Sequence, residues 1–161
     1  MKQFLCILFT FILWMLLVWS LAPADVGVGL IVAFLVATLL AHIYPNEPQK
    51  ALQPKRWLYL ALYVPYFLYY CVKANLDVAY RVLHPDMPIR PGIVKVRTDL
   101  SSEMAKTFLA NSITLTPGTL AVDIRGQDLY VHWINIHTAD PEAHTAEIVK
   151  RFEGFLRRIF E

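Results

Sequence analysis

The sequence predicts an α/β membrane protein in which hydrophobic N-terminal helices precede a small C-terminal β-α-β-β-α domain. Of the 161 residues, 57% are hydrophobic and the mean hydropathy is +0.44, above what water-soluble domains show. This hydrophobic excess is concentrated before residue 73. Strand-like alternation and amphipathic helix patterns then fill the C-terminal half. We therefore assign residues 1–84 to membrane helices and residues 85–161 to a soluble α/β domain.

Two uncharged runs at the N-terminus, at about residues 4–21 and 26–43, predict a helical hairpin. At ~1.5 Å per residue each run reaches across a thin bilayer core. A signal peptide is the competing explanation for the first run, but the second begins only four residues later. In the second run a stripe of small residues offers close helix packing, and an ordinary lipid-facing helix is the alternative. The stripe consists of Gly27, Gly29, Ala33, Ala37 and Ala41.

The third segment, residues 57–84, begins as a membrane helix and continues as an amphipathic one. Residues 57–72 carry no charge and are rich in tyrosine, whose ring tolerates hydrocarbon while its hydroxyl prefers the wet interface. From there on, Lys73, Asp77 and Arg81 recur every four positions on one helix face. We expect the first part to lie in or across the bilayer and the second part to leave it.

None of the three segments places a carboxylate or a basic residue at mid-membrane depth. Asp25 lies in the corner between the first two runs, and His42 lies at a helix end. A charge at the membrane centre costs roughly 2.5 to 3.5 kcal/mol, so proteins keep one there only where a pathway needs it. We therefore expect no ion or proton relay within this chain. Basic residues are nearly balanced between the two predicted sides, and we place the C-terminal domain in the cytoplasm.

The C-terminal half alternates strand and helix patterns in the order β, α, β, β, α. Residues 92–98 alternate apolar and basic side chains, which is typical of a half-buried strand. A helix follows, with Ser101 as its N-cap. Strands at 119–124 and 129–135 are expected to pair antiparallel through a turn at 125–128. The apolar face of the helix comprises Met104, Phe108, Leu109 and Ile113.

A last helix is predicted to begin at Asp140 and Pro141, with an apolar stripe opposite a charged face. The stripe comprises Ile148, Phe152, Phe155, Leu156 and Ile159. A domain of this size buries a limited core, so we expect it to depend on the preceding helix or on a partner surface.

Charge and cysteine content exclude some functional classes. The formal net charge is +2, and basic residues are mixed among acidic ones, so we expect no nucleic-acid partner. Cys6 and Cys71 both lie inside apolar runs, without the spacing of a metal site, and are expected to pack as small apolar residues.

Other polar side chains also lack a functional pattern. His132, His137 and His144 have neither a paired thiol nor a histidine four positions away, as a zinc site requires. Asp123 and Asp128 flank the predicted hairpin, and no nucleophile or oxyanion donor accompanies them at a recognisable spacing. We therefore expect no catalytic, cofactor-binding or metal-binding residue, and no cofactor.

The segment between the first helix of the domain and the next strand, residues 111–119, is polar. Its sequence is Asn-Ser-Ile-Thr-Leu-Thr-Pro-Gly-Thr, and Pro117-Gly118 predicts a tight turn with a positive φ at the glycine. Two roles are open for its hydroxyl groups, hydrogen bonding to the loop backbone or binding of an anion at exposed N–H groups. No lysine follows the glycine as a phosphate loop requires, so nucleotide binding is not expected.

Two stretches and one residue between them carry a resemblance to a known family. They are Leu109-Ala-Asn-Ser-Ile-Thr-Leu-Thr-Pro-Gly-Thr-Leu120, Leu129-Tyr-Val-His-Trp-Ile134 and, between these, Asp123. With the hydrophobic N-terminus they make the whole chain resemble the E subunit of the multi-subunit Mrp-type (Mnh or Pha) monovalent cation/proton antiporters. The resemblance implies a bacterial membrane complex that exchanges cytoplasmic Na⁺, or K⁺ in Pha-type systems, for external H⁺. It also implies that translocation resides in larger partner subunits similar to those of respiratory complex I.

Our expectation is therefore a non-catalytic structural or assembly subunit of such an antiporter, and not an enzyme. The resemblance implies a multi-pass protein of the bacterial cell (inner) membrane, whose partners are the other antiporter subunits and the lipid bilayer. The alternative is a membrane-anchored module that binds an anion or a small ligand through residues 111–119.

Overall fold

A computed structural model describes residues 2–39 and 53–161 of the chain. Contacts between residues divide the chain into two units, Met1–Leu52 and Gln53–Glu161. The elements are helices and one small sheet of three strands, which confirms the mixed helical and sheet content expected from the sequence. The predicted boundary at residue 84, between membrane helices and a soluble domain, stays a prediction.

The first unit is a helical hairpin of α1 (Lys2–Val18) and α2 (Pro23–Leu39), which pack against each other. Three members of the small-residue stripe, Gly29, Ala33 and Ala37, are the buried residues of α2. Their lack of bulk lets the two backbones approach closely. The small-residue stripe is thus a helix-packing face over these positions.

Trp14 explains why glycine is needed at residue 29. A Cβ atom added to Gly29 would come within 2.5 Å of Cδ1 of the Trp14 indole, so the ring occupies the space of the missing side chain. The indole Nε1 of Trp14 donates a hydrogen bond to the carbonyl oxygen of Asp25 at 3.1 Å. By contrast, Gly27 has nothing within 4 Å of such an atom, and Ala41 lies outside the described residues.

Both helices of the hairpin begin two or three residues before the predicted limits, and the first ends at Val18, three residues before its predicted limit. The second helix begins at Pro23 because the fixed φ of proline suits the first turn of a helix and its missing N–H needs no partner there. In the parts of the chain that are described, no helix combines the length and the apolar content that a membrane crossing requires. The spans at 4–21, 26–43 and 57–84 stay predictions, and residues 40–43 lie outside the described residues.

The second unit contains α3 followed by the C-terminal α/β domain. A π-helical stretch (Ala146–Lys150) joins its last two helices without a break. The elements are α3 (Pro54–Leu83), β1 (Gly92–Arg97), α4 (Glu103–Leu115), β2 (Thr119–Arg125), β3 (Asp128–Trp133), α5 (Pro141–Thr145) and α6 (Arg151–Phe160).

The sheet has the order β1-β3-β2, and both pairings are antiparallel. The predicted hairpin between β2 and β3 is present, with Gly126 at φ +65°. Val122 is an extra residue in the register between the pairs Ala121–Val131 and Asp123–Tyr130, which makes a β-bulge. One face of the sheet carries the helices, and its inward residues Val94, Val96, Leu129 and Val131 are buried.

The core of the domain extends onto α3. Tyr63 of α3 is only 7% exposed and belongs to the same buried cluster as Leu109 of α4 and Phe152 of α6. A small sheet with two covering helices has little apolar area to bury, and aromatic rings each add a large amount. The aromatic rings of α3 therefore complete the buried core of the domain.

Two helix details differ from the prediction. Ser102, not Ser101, is the N-cap of α4, where its hydroxyl accepts a hydrogen bond from the N–H of Ala105. Met104 and Phe108 are 40% and 42% exposed, so the apolar face of α4 points only partly into the core. The reason is that α4 is covered by the sheet and α6 on one side and by α3 on another, which leaves an apolar edge outside.

Candidate functional site

The polar segment 111–119 is mostly helical. Helix α4 continues through Leu115, and only Thr116–Gly118 forms the turn before β2. The helix accommodates these polar side chains because the hydroxyls of Ser112 and Thr116 bond to carbonyl oxygens four residues earlier, those of Phe108 and Ser112, each at 2.7 Å. Gly118 has φ +88°, as predicted for a glycine in this turn.

The remaining hydroxyls of the segment also bond to the backbone. Thr119 Oγ1 donates to the carbonyl oxygen of Ile113 at 2.7 Å. Thr114 Oγ1 accepts from the N–H of Ala121 at 3.1 Å and so joins the helix to β2. The side chains that could have bound an anion thus fix the path of the chain from α4 into the sheet.

A cleft of about 260 Å³ lies beside this turn. Its walls are the C-terminal half of α3, the turn itself, the end of β3 and the helix that begins at Pro141. The lining polar and charged side chains are Tyr70, Lys73, Asp77, Arg81, Thr116, Thr119, Asn135, His137, Glu147 and Arg151. The turn that carries the family resemblance is therefore one wall of this cleft.

Carboxylates in the cleft are paired with basic groups. Arg81 forms two hydrogen bonds with Asp77, Nε–Oδ2 and Nη2–Oδ1, both 2.9 Å, and donates a third to the carbonyl oxygen of Pro88 at 2.8 Å. Glu147 lies 3.8 Å from the guanidinium of Arg151. Lys73 has no ion-pair partner among the described residues, so the cleft has an excess of one positive charge.

Trp133 and His137 line the cleft beside Glu147. Nε2 of His137 lies 3.3 Å from Oε2 of Glu147, and its ring meets that of Trp133 edge-on with the centroids 5.2 Å apart. His144 is buried against the same indole and contacts the carbonyl oxygen of Thr138 through Nε2 at 2.9 Å. These contacts position the rings within the fold.

The other polar residues singled out by the sequence lie apart from one another. His132 is exposed on the outer face of β3. Asp123 pairs with Arg125 at 2.7 Å, and this hydrogen bond, aided by the Ile124 N–H, lowers the pKa of the Asp123 carboxyl. Asp128 pairs with Lys95 at 2.7 Å. Across residues 2–39 and 53–161, no three His, Cys, Asp or Glu side chains gather as a metal site would need.

Sequence reasoning missed a buried carboxylate on α6. Glu153 is a charged residue of the amphipathic last helix, for which the sequence predicts an exposed position, but it is only 3% exposed. Burial alone would raise the pKa of its carboxyl, yet hydrogen bonds from Lys150, the Asp99 N–H and the Thr98 hydroxyl outweigh this and lower it. The π-helical stretch before α6 shifts the helix register. No periodic pattern in the sequence signals that shift.

Another missed group is the side chain of Glu161, which caps α4 from outside. Its Oε1 accepts hydrogen bonds from the N–H groups of Ser101 and Ser102, at 2.5 and 2.9 Å. Burial raises the pKa of this carboxyl, but the hydrogen bonds prevail and the pKa is lowered. Arg56 of α3 donates to the carbonyl oxygens of Ile159 and Glu161, at 2.6 and 2.9 Å, so the start of α3 is tied to the end of α6.

The tyrosine-rich face of α3 also points into the chain itself. The Tyr63 hydroxyl lies 2.6 Å from Oγ of Ser112, and the Tyr66 hydroxyl donates to the carbonyl oxygen of Arg151 at 2.9 Å. Tyr59 and Tyr70 pack against the same core. The sequence indicated that the tyrosines of residues 57–72 suit the membrane interface, but these four rings contact the domain. They face the domain because its limited core is completed by them.

The fold and this site define a class: a helical hairpin joined to a helix-braced three-stranded domain, in which polar side chains are largely engaged in internal bonds. The family model described as "Na+/H+ ion antiporter subunit" matches residues 7–159. The chain therefore belongs to this family.

Relatives and a solved structure support the assignment. The chain is 27% identical over 161 residues to the E1 subunit of a Na(+)/H(+) antiporter of Staphylococcus epidermidis, with 99% of this chain and 98% of that protein covered. It is 39% identical over 82 residues to the E subunit of the Na(+)/H(+) antiporter of Alkalihalophilus pseudofirmus, which is 51% of this chain and 52% of that one. A chain in the membrane-bound sulfane sulfur reductase, an archaeal respiratory membrane complex, superposes with a TM-score of 0.82 at 43% identity, covering 99% of both chains.

Proposed function

We propose that this chain is a non-catalytic assembly subunit of a multi-subunit monovalent cation/proton antiporter in the bacterial cell membrane. Its partners are the other subunits, among them the complex-I-like antiporter subunits that move the ions, and the lipid bilayer. Family membership supports the antiporter, and the solved relative belongs to a membrane complex. The membrane part consists of the segments predicted from the sequence, and the C-terminal domain lies in the cytoplasm.

The observation that carries the assembly role is the attachment of α3 to the C-terminal domain along its length. Arg56 bonds to the end of α6, Tyr63 to α4, and Val78 lies against the 116–118 turn, where its Cγ2 is 3.4 Å from the Cβ position of Gly118. Because a helix so fixed cannot move independently, whatever holds α3 in the membrane complex also sets the position of the domain. The chain would then keep neighbouring subunits in register.

Extraction from the native membrane in mild detergent tests this role. The tagged chain is expected to elute in a large assembly, and mass spectrometry should find complex-I-like antiporter subunits with it. The variant Tyr63→Ala, which loosens α3 from the domain, should lower the yield of the assembly more than the matched control Leu62→Ala at the adjacent, exposed position. A chain that elutes alone and folded would contradict the assembly role.

A second candidate function, ligand binding at residues 111–119, is favoured by one observation, the cleft with its excess positive charge beside Thr116 and Thr119. Substitution of Thr114, Thr116 and Gly118 separates the two roles. Binding predicts lost affinity for an anion such as inorganic phosphate in a folded chain. The assembly role predicts that the substituted chain no longer folds or no longer co-purifies with the other subunits, because the Thr114 and Thr116 hydroxyls bond to the backbone.

A further inference from the structure

Helix α3 has two unlike faces. The inner face packs on the C-terminal domain, and the outer face carries no charged residue from Trp57 to Leu83, a length of about 40 Å at ~1.5 Å per residue. The charged residues of this stretch, Lys73, Asp77 and Arg81, follow each other at four-residue spacing away from the outer face.

The outer face is apolar and open. Leu58, Val72 and Leu76 are 59%, 59% and 67% exposed, and the side chains between them continue the same strip. On one edge the surface extends onto α4, where Phe108 and Leu115 are also exposed. Water-soluble surfaces rarely leave so long an apolar strip uncovered, so this strip marks a contact with lipid or protein.

Basic side chains follow the other edge of the strip. Lys55 and Lys73 are eighteen residues apart, which is five turns at about 3.6 residues per turn, so they lie on one line along the helix. Between them the guanidinium of Arg158 lies over the ring of Tyr59, 5.4 Å from its centroid, and that of Arg151 lies over Tyr70 at 5.2 Å. We call Lys55, Arg158, Arg151 and Lys73 the basic row.

Acidic groups offset the basic row only in part. Glu147 lies 3.8 Å from Arg151, and Asp77, one turn beyond Lys73, is bound to Arg81. Lys55, Arg158 and Lys73 have no ion-pair partner among the described residues, and all three are exposed. The edge of the strip is therefore cationic.

Across the helix, Lys55 and Lys73 border the apolar strip directly, and the arginines stacked on Tyr59 and Tyr70 follow on the side of α6. A bilayer surface has the complementary order of acyl chains and phosphate groups, and basic residues prefer the phosphate level. We propose that α3 lies along the membrane surface with its apolar strip in the acyl boundary, and that the basic row binds the phosphates of acidic phospholipids. This inference rests on the proposed membrane function and adds how α3 meets the lipid.

The attachment of the domain explains why α3 lies along the surface and does not cross. The stacked guanidinium groups at Tyr59 and Tyr70 are eleven residues apart, about 16 Å along the axis. In a crossing helix, one of them would sit deep in hydrocarbon, where a charge is costly. In a helix parallel to the surface, both stay at the phosphate level.

Spin labels on the full chain test the orientation. In a background of Cys6→Ala and Cys71→Ser, labels are placed at Leu58→Cys, Leu68→Cys and Leu76→Cys, and at Ile93→Cys on the open sheet face as the water-exposed control. The chains are reconstituted in phosphatidylcholine vesicles with phosphatidylglycerol. Relative access of oxygen and a nickel chelate is expected to give one shallow lipid depth for the three α3 labels, and water exposure for Ile93→Cys.

Two results would overturn the orientation. A depth that is greatest at Leu68→Cys and small at both ends would mean that α3 crosses the bilayer. Water exposure of all three labels would mean that the strip does not enter the lipid, which leaves it free to contact a protein neighbour in the complex. Hydrogen exchange of α4 in each labelled variant checks that the domain is folded. Co-purification of the antiporter subunits with the unlabelled chain would still support the proposed function in either case.

Neutralising the basic row tests the headgroup contact. In the natural chain, the α3 labels should lie at different depths in vesicles with and without phosphatidylglycerol. In the chain with Lys55→Gln, Lys73→Gln and Arg158→Gln, we expect the same label depth in both kinds of vesicle. The control chain carries Arg90→Gln, Lys95→Gln and Arg97→Gln around β1, which removes the same charge elsewhere, and should keep that difference. Equal behaviour of the two chains would refute the headgroup contact, as would displacement of the labels by soluble glycerol phosphate at the same concentration as the lipid.

Discussion

Replacing Tyr63 with alanine should separate α3 from the domain. The ring is 7% exposed and lies edge-on to Phe152, with the centroids 6.3 Å apart. Loss of a large buried aromatic side chain costs about 3–5 kcal/mol, as it does for phenylalanine to alanine in other cores. Tyr63→Phe keeps the ring and removes only the hydrogen bond to Ser112, whose hydroxyl still donates to Phe108. That variant should lose about 1 kcal/mol.

Peptide-resolved hydrogen exchange on the full chain in detergent measures these losses. Each 1.4 kcal/mol corresponds to a tenfold change in the opening equilibrium, so exchange in α4 and α6 should rise about a hundredfold to several thousandfold in Tyr63→Ala. Leu62→Ala is the matched control, since Leu62 is the adjacent residue but 49% exposed, and exposed substitutions change stability by about 0.5 kcal/mol or less. If both variants exchange alike, α3 does not contribute to the core of the domain.

Three further substitutions follow from the structure. In thermal unfolding, Gly118→Ala should lower stability more than Gly126→Ala. Both glycines have positive φ, but only a Cβ at residue 118 would meet another side chain, with Ile134 Cγ2 at 3.0 Å. Equal losses would show that the backbone conformation alone determines the cost. Glu161→Gln should weaken the cap on α4 by about 1–2 kcal/mol, seen as faster exchange at the start of α4, with Glu142→Gln as the exposed control. Because its folded pKa is lowered, Glu153 should stabilise the domain above pH 4.5, its ordinary pKa, and lose that contribution as pH falls through the folded pKa. The difference in stability between the natural chain and Glu153→Gln should therefore shrink below pH 4.5, and a difference independent of pH would exclude the carboxylate as its source.

Local patterns predicted most elements of the domain. The alternation of Val94 and Val96 with basic residues predicted β1. Asp140 and Pro141 predicted the start of the last helix, and Gly126 predicted the hairpin turn. These signals work because each depends on neighbours in sequence, such as a cap or a turn conformation. The continuation of α4 from Ile113 to Leu115 was missed because the polar segment 111–119 was interpreted as a connection, whereas the Ser112 hydroxyl bonds back to the helix at Phe108.

Contacts between distant residues could not be predicted in the same way. Glu153 resembles an ordinary charged position on an amphipathic helix, and only the loop at Thr98 and Asp99, more than fifty residues earlier, makes its burial possible. The same is true of Glu161, whose partners are Ser101 and Ser102. A sequence shows that such groups are polar, but their partners are set by the path of the chain.

The uncharged stretch from Trp57 to Val72 shows why hydrophobicity alone could not assign α3. A helix that crosses a bilayer needs an apolar surface all round, and so does a helix whose inner face fills a domain core while its outer face meets lipid. What separates the two is the kind of residue on each face: tyrosines whose hydroxyls bond to the domain on the inside, and mainly aliphatic side chains, with Trp57 and Tyr69, on the outside. A charge introduced at Leu68 should leave the domain folded, because no core contact is lost, and should weaken only the contact with the membrane.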